Sequence, residues 1–196
     1  MKKIPTLFER VYADNKVIGI KPVLSSQDLR WVLDGYGIAT EKIDGSCCAI
    51  IGGKLYKRYD AKKGKIPPKD AIPCCDPDPV TGHWPHWIPV KEKDPSSRWH
   101  IEALKNAERY NAGPLDDRTY EAVGPHFQGN PHHLDEDVLL PHGITVIDVK
   151  RTFEGMRDYL ERHEIEGIVF WKDGEPRCKI KRSDFGFEWP VEETKP

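Results

Sequence analysis

Residues 42–60, KIDGSCCAIIGGKLYKRYD, are two runs of β-type residues separated by Gly52 and Gly53. A two-glycine connection suits the positive φ angles of a primed turn, so the stretch predicts an antiparallel hairpin. In this reading Lys42 stands near the start of the first strand and Arg58 near the end of the second, and the hairpin carries both to the same end. Strand residues two apart share a face, which pairs Lys42 with Asp44 and turns Ile43 the other way. Gly45 leaves room for close backbone approach.

Outward from this hairpin, residues 25–34 (SSQDLRWVLD) read as a short serine-capped helix that stops at Gly35. Residues 62–95, rich in Pro, Gly, Asp and Lys, read as a long irregular excursion. Residues 96–110 (SSRWHIEALKNAERY) predict a helix after a serine cap, with Ile101, Leu104 and Glu108 at helical spacing. Strands are expected at 118–124 (RTYEAVG) and 143–149 (GITVIDV). A helix follows at 153–163, with Phe153, Met156 and Leu160 on one stripe, and then a buried strand at 165–171 (IEGIVFW). Asp173-Gly174 turns the chain into a last strand, 177–182 (RCKIKR). The class is α+β, dominated by antiparallel pairing.

A chain of 196 residues suits one domain with a real core, here expected to span 1–196. Lys+Arg 30 against Asp+Glu 32 gives a net charge of -2, so nucleic-acid binding would rest on a local basic patch. No apolar run approaches the ~20 residues that span a bilayer, and MKKIPTLFERVY lacks the continuous apolar core of a secretory signal. The expected location is the reducing cytoplasm. Five cysteines, as Cys47-Cys48, Cys74-Cys75 and Cys178, suit free thiols.

A K-x-D-G match arises by chance in roughly a few of every hundred such chains and carries little alone. More weight comes from Glu121 in YEAVG, Glu166 in EGIVFW, and Lys179 with Lys181 flanking Ile180 in KIKR. Each of these strands puts charge on one face and apolar bulk on the other. Solvated strand faces ordinarily explain such alternation, but the order and types of these residues match a known set.

EKIDG, KRYD, YEAVG, EGIVFW and KIKR resemble, in order, motif I, the following arginine motif and motifs III, IV and V of the covalent nucleotidyltransferases, the superfamily of ATP-dependent ligases and mRNA capping enzymes. The resemblance runs from Glu41 to Arg182. VGPHFQGNP, LLPHG and GHWPHWIPV further resemble the small family of ATP-dependent 5′-3′ RNA ligases that has a vertebrate member. This implies an ATP-grasp-like adenylation domain of antiparallel sheets flanked by helices, without a C-terminal OB domain. It implies ATP as cosubstrate, Mg²⁺ or Mn²⁺ as metal, and RNA with 5′-phosphate and 3′-hydroxyl ends as partner, with the protein a monomer. Lys42 is then the nucleophile that takes AMP, and Lys179 and Lys181 act on the α-phosphate. Arg58 and Glu121 hold the nucleotide sugar and Glu166 the metal, while Glu41, Asp44 and Gly45 complete the nucleotide-binding set. A lysine of ordinary pKa ~10.4 is protonated at neutral pH, so the nucleophile needs desolvation or neighbouring positive charge. The chain departs from DNA ligases and capping enzymes, which carry an arginine soon after the motif I glycine; here Ser46, Cys47 and Cys48 follow. It also stops fifteen residues after Lys181. Phe170 and Trp171 alternate faces, and no residue is assigned to adenine stacking.

Cys74, Cys75, His83 and His86 offer zinc-type ligands, but adjacent cysteines chelate one tetrahedral ion poorly and H-x₂-H is tight. The favoured reading is a rigid loop built on Trp84, Trp87 and prolines. Residues 54–69 form the densest basic run, with Tyr56 and Tyr59 interleaved, and suit either an exposed loop or an RNA backbone. His132 and His133 read by default as exposed loop histidines, with a role near the RNA end as the alternative. The rival functions are a GTP-dependent guanylyltransferase, a DNA ligase and a non-catalytic nucleic-acid-binding relative.

Overall fold

The computed structural model describes residues 3–191 except 15, 63 and 80. Lys63 of the basic run and the last five residues of the tail lie outside the described residues. In chain order the elements are β1 (Phe8–Ala13), β2 (Lys16–Leu24), α1 (Arg30–Leu33), β3 (Ile38–Lys42), β4 (Ser46–Ile51), β5 (Lys54–Ala61), β6 (Ile72–Pro73), β7 (Trp84–Pro89), α2 (Arg98–Asn111), β8 (Thr119–Val123), β9 (Val138–Pro141), α3 (Phe153–Arg162), β10 (Gly167–Lys172) and β11 (Glu175–Lys181). The class is α+β and every strand ladder is antiparallel. Contacts divide the chain into two compact units, one of residues 44–142 with Lys3, the other of residues 4–43 with the segment from Gly143 onward. No helix among the described residues is long and apolar enough to cross a membrane.

The 44–142 unit is a six-stranded sheet in the order β6-β7-β5-β4-β8-β9. Its β4–β5 hairpin turns at Gly52 (φ 57°) and Gly53 (φ 68°), where the Asp117 carboxylate accepts both backbone N–H groups at 2.5 and 2.9 Å. Cys48, Ile50, Leu55, Tyr120, Ala122 and Leu139 alternate onto the face that α2 covers with Ala103 and Ala107. Small side chains let the helix lie close to the sheet, so these alanines, rather than the expected Ile101–Leu104–Glu108 stripe, form its centre; Leu104 packs at the margin. Asp94, not a serine side chain, caps the short 3-10 turn that leads into α2. β7 lies in the stretch expected to be irregular. Its prolines, Pro85 and Pro89, stand opposite Asp60 and Tyr56 in a strand whose outer neighbour β6 has two residues, so few ladder donors are lost.

The other unit holds the three-stranded sheet β11-β10-β3, the β1–β2 hairpin, α1 and α3. Its core contains Phe8, Val32, Met156, Leu160, Ile168, Phe170 and Ile180, so the predicted α3 stripe is the buried one. Ser26 caps the turn into α1, and Thr152 caps α3 through Gly155 N–H. Asp173 (φ 55°) and Gly174 (φ 74°) make the β10–β11 turn.

Two strand expectations are corrected. Residues 143–149 run beside β3 through Glu41 N–H to Thr145 O and Ile147 N–H to Ala39 O, but Val146 N–H bonds locally to Ile144 O and interrupts the ladder, leaving one bridge at Thr40–Val146. Lys42, moreover, does not begin the hairpin strand. It ends β3 in the three-stranded sheet, while β4 begins at Ser46 in the six-stranded one, so Lys42 and Asp44 do not share a strand face and Lys42 is not part of the β4–β5 hairpin.

Candidate active site

Three strands build the lysine cluster. Lys42 on β3 and Lys181 on β11 each stand opposite Gly167 of β10. A Cβ at Gly167 would run into Ile180 O and the Lys181 Cα, so the close approach requires glycine. Glu166, just before β10 and 4 % exposed, pairs through Oε2 with Lys42 Nζ and through Oε1 with Lys181 Nζ. Lys42 Nζ also donates to Ile43 O at 3.3 Å. Lys179 lies one face-repeat along β11 and opposite Val169. Burial, then the positive charges of Lys42 and Lys181, lowers its pKa to about 8. Two further contacts fix this strand: Pro5 and Leu7 bond the Lys179 backbone in parallel fashion, and Asp184, held by Arg10 at 2.8 Å, accepts Lys181 N–H at 2.9 Å. Glu41 stands opposite Ile168 and so faces away from Lys42.

The six-stranded sheet carries a second cluster on the face opposite α2. Cys47 stands directly across from Glu121, the Arg58 charge acts on the Cys47 thiol, and His142 Nε2 lies 2.8 Å from Glu121 Oε2. Burial and then the Glu121 charge push the Cys47 thiol up to about 12, against the opposing charge of Arg58. Burial works against the charge of Arg58 itself, but Asp60 at 2.9 Å more than offsets it and raises its pKa. Gly45 lies where a Cβ would strike Ala122 O and the Val123 and Glu121 side chains. Asp44 N–H donates to His132 Nε2 at 3.1 Å. His132, read from sequence as a loop histidine, therefore orders the backbone just after the lysine motif.

The structure thus brings Lys42, Glu166, Lys179 and Lys181 together in one unit, and Gly45, Arg58 and Glu121 in the other. Sequence reading missed Cys47, His142 and His132, whose only signal was their place in SCC, LLPHG and GNPHH. Cys74, Cys75, His83 and His86 do not converge on a common point; His86 is buried with Nδ1 2.8 Å from Trp84 O, and Trp84 Nε1 donates to Cys75 O.

Glu166 supplies two hard carboxylate oxygens of the kind Mg²⁺ takes, with phosphate oxygens and water as its other ligands. Both oxygens are engaged by lysine ammonium groups, so a cation there must displace at least one of them.

No model of a known protein family matches the chain. Curated relatives do: RNA ligase 1 of Pongo abelii is 27 % identical over 232 residues, covering 80 % of this chain and 70 % of that protein. RNA ligase 1 of Rattus norvegicus is 26 % identical over 231 residues, with 80 % and 70 % covered. RNA ligase 1 of Danio rerio is 26 % identical over 232 residues, with 80 % and 69 % covered. The lysine cluster therefore sits in a chain that is similar, over 80 % of its length, to proteins named RNA ligase 1.

Proposed function

We propose that the protein is an ATP-dependent RNA ligase that works through an AMP bound to Lys42. The observation that carries this reading is the Lys42–Glu166–Lys181 bridge with Lys179 beside it: a lysine held among cations on a rigid sheet, where a polyphosphate would be neutralised. In the first step Lys42 Nζ, having released its proton, forms an N–P bond to the α-phosphate of ATP while the bond to the β-phosphate breaks and pyrophosphate leaves. In the second, an RNA 5′-phosphate oxygen takes the AMP and the N–P bond breaks. In the third, a 3′-hydroxyl attacks the 5′-phosphate, AMP leaves and the strand is sealed. Lys181 and Lys179 neutralise charge on the transferring phosphate, and Lys179, with its pKa near 8, lies closer to releasing a proton at neutral pH than an ordinary lysine does. Arg58 and Glu121 are proposed to hold the nucleotide sugar. Mg²⁺, held by Glu166, would supply charge neutralisation on the phosphates.

The test is incubation with labelled ATP or GTP and Mg²⁺, followed by denaturation. ATP label is expected on the wild type and none on Lys42→Ala. Glu166→Ala is expected to fold and lose at least about a hundredfold in labelling rate, a loss of ~2.7 kcal/mol in transition-state stabilisation. Label from GTP alone would favour the guanylyltransferase reading, and no label from either nucleotide a non-catalytic one.

A further inference from the structure

We propose that Cys47, Glu121 and His142 form a binding site for a borderline-soft divalent cation of the zinc class. Among the described residues this is the place where three metal-ligating side chains converge, with one ligand atom from each within 4.8 Å of the others. The β4–β8 pairing sets Cys47 across from Glu121. His142 follows β9, and its carbonyl accepts from Arg118 at 2.7 Å. Its Nε2 already meets Glu121, while Nδ1 is buried and makes no hydrogen bond.

A tetrahedral zinc with bonds of about 2.0–2.3 Å holds its ligand atoms roughly 3.4–3.7 Å apart. Small side-chain rotations therefore suffice to close the three around an ion. Thiolate and imidazole select zinc over magnesium, which prefers an all-oxygen shell. Side-chain exposures of 11 % for Glu121 and 15 % for His142 leave a path for the ion and a fourth position for water. On binding, the Cys47 S–H bond breaks, a metal–sulfur bond forms and the proton passes to solvent. Cys47 thiolate and Glu121 carboxylate then balance the charge of the ion, and Arg58 becomes a donor to the ligated sulfur. One consequence rests on the function proposed above: while Glu121 ligates an ion it cannot hold the nucleotide sugar, so zinc and ATP exclude each other.

Binding is read on the metal-free, full-length protein without nucleotide, by Zn²⁺ competition with a colorimetric chelator and by Co²⁺ absorption. One equivalent is expected, with a thiolate-to-cobalt charge-transfer band and the visible bands of a tetrahedral ion. Cys47→Ser should abolish the charge-transfer band and weaken Zn²⁺ binding at least about tenfold, and His142→Gln should weaken it comparably. A Cys74→Ser/Cys75→Ser double variant should keep the band. Absence of stoichiometric binding overturns the proposal, and so does a band that survives in folded Cys47→Ser or disappears in the double variant. Because nucleotide is absent, these outcomes stand whether or not the protein takes label from ATP. With ATP present, Zn²⁺ should raise the ATP concentration needed for half-maximal labelling, an effect smaller in Cys47→Ser; an unchanged ATP requirement removes the mutual exclusion.

Discussion

Glu166 is the carboxylate that both Lys42 and Lys181 engage. Glu166→Gln leaves three neighbouring lysines without that charge. Removing one partner of a well-buried pair costs about 3–5 kcal/mol. Lys42 and Lys181 are 19 % and 30 % exposed, and solvent screening reduces the expected loss to about 2 kcal/mol; an unchanged urea midpoint would show that the bridge contributes nothing to stability. His100 on α2 gives a second prediction. Burial first, then the Lys57 charge, lowers its pKa to about 4 from 6.5, and its ring packs edge-on against Phe127. The unfolded chain binds more protons between those values, so this contribution is complete above about pH 6.5 and is lost as the pH falls towards 4. His100→Phe should therefore flatten the fall in Tm across that window; a fall as steep as in the wild type would exclude His100 as its source.

At the scale of elements, the contact between β10 and β11 depends on Gly167. Replacing it with alanine places a methyl group against the Ile180 carbonyl, and the neighbour is backbone, which yields less readily than a side chain. The expected cost is about 1–3 kcal/mol, as for other overpacked sites, together with loss of AMP labelling, because Lys42 and Lys181 flank this position. A Gly167→Ala variant with wild-type labelling would mean that the register of the three strands does not matter to the site. The β4–β5 hairpin, serine-capped α1, α3 and the Asp173-Gly174 turn were legible in the sequence because local chemistry specifies them: positive-φ glycines, Ser26 as a cap, and apolar spacing in α3. β7 and the broken edge at 143–149 were not. The first carries prolines that propensity reads as loop, and the second alternates like a strand but lacks an uninterrupted ladder.

For the whole molecule, the 44–142 unit interrupts the other in sequence and has its own core around α2. A fragment of residues 44–142 is expected to fold alone, shown by a cooperative thermal transition with retained far-UV signal; a non-cooperative melt would mean that this core needs the rest of the chain. The proposed ligase should seal nicked 5′-phosphorylated RNA at least about tenfold faster than the matching DNA nick, since the 2′-hydroxyl and A-form shape distinguish the two substrates. Equal rates would move the assignment towards a general polynucleotide ligase.

By itself the sequence determined the class of the fold, most of its local elements and the residue types of the candidate site, because caps, turns and alternation act over a few residues. Tertiary structure decided which of those residues meet. Lys42 and Asp44 are two apart in the chain, yet the first ends a strand paired with β10 and the second leads into another sheet. Glu166 reaches Lys42 across 124 residues, and the SCC departure acquires a partner in His142 only because β9, a strand the sequence did not announce, pairs with β8. Such pairings are non-local: they depend on ladder register and on which glycines permit close backbones, and no local pattern specifies either.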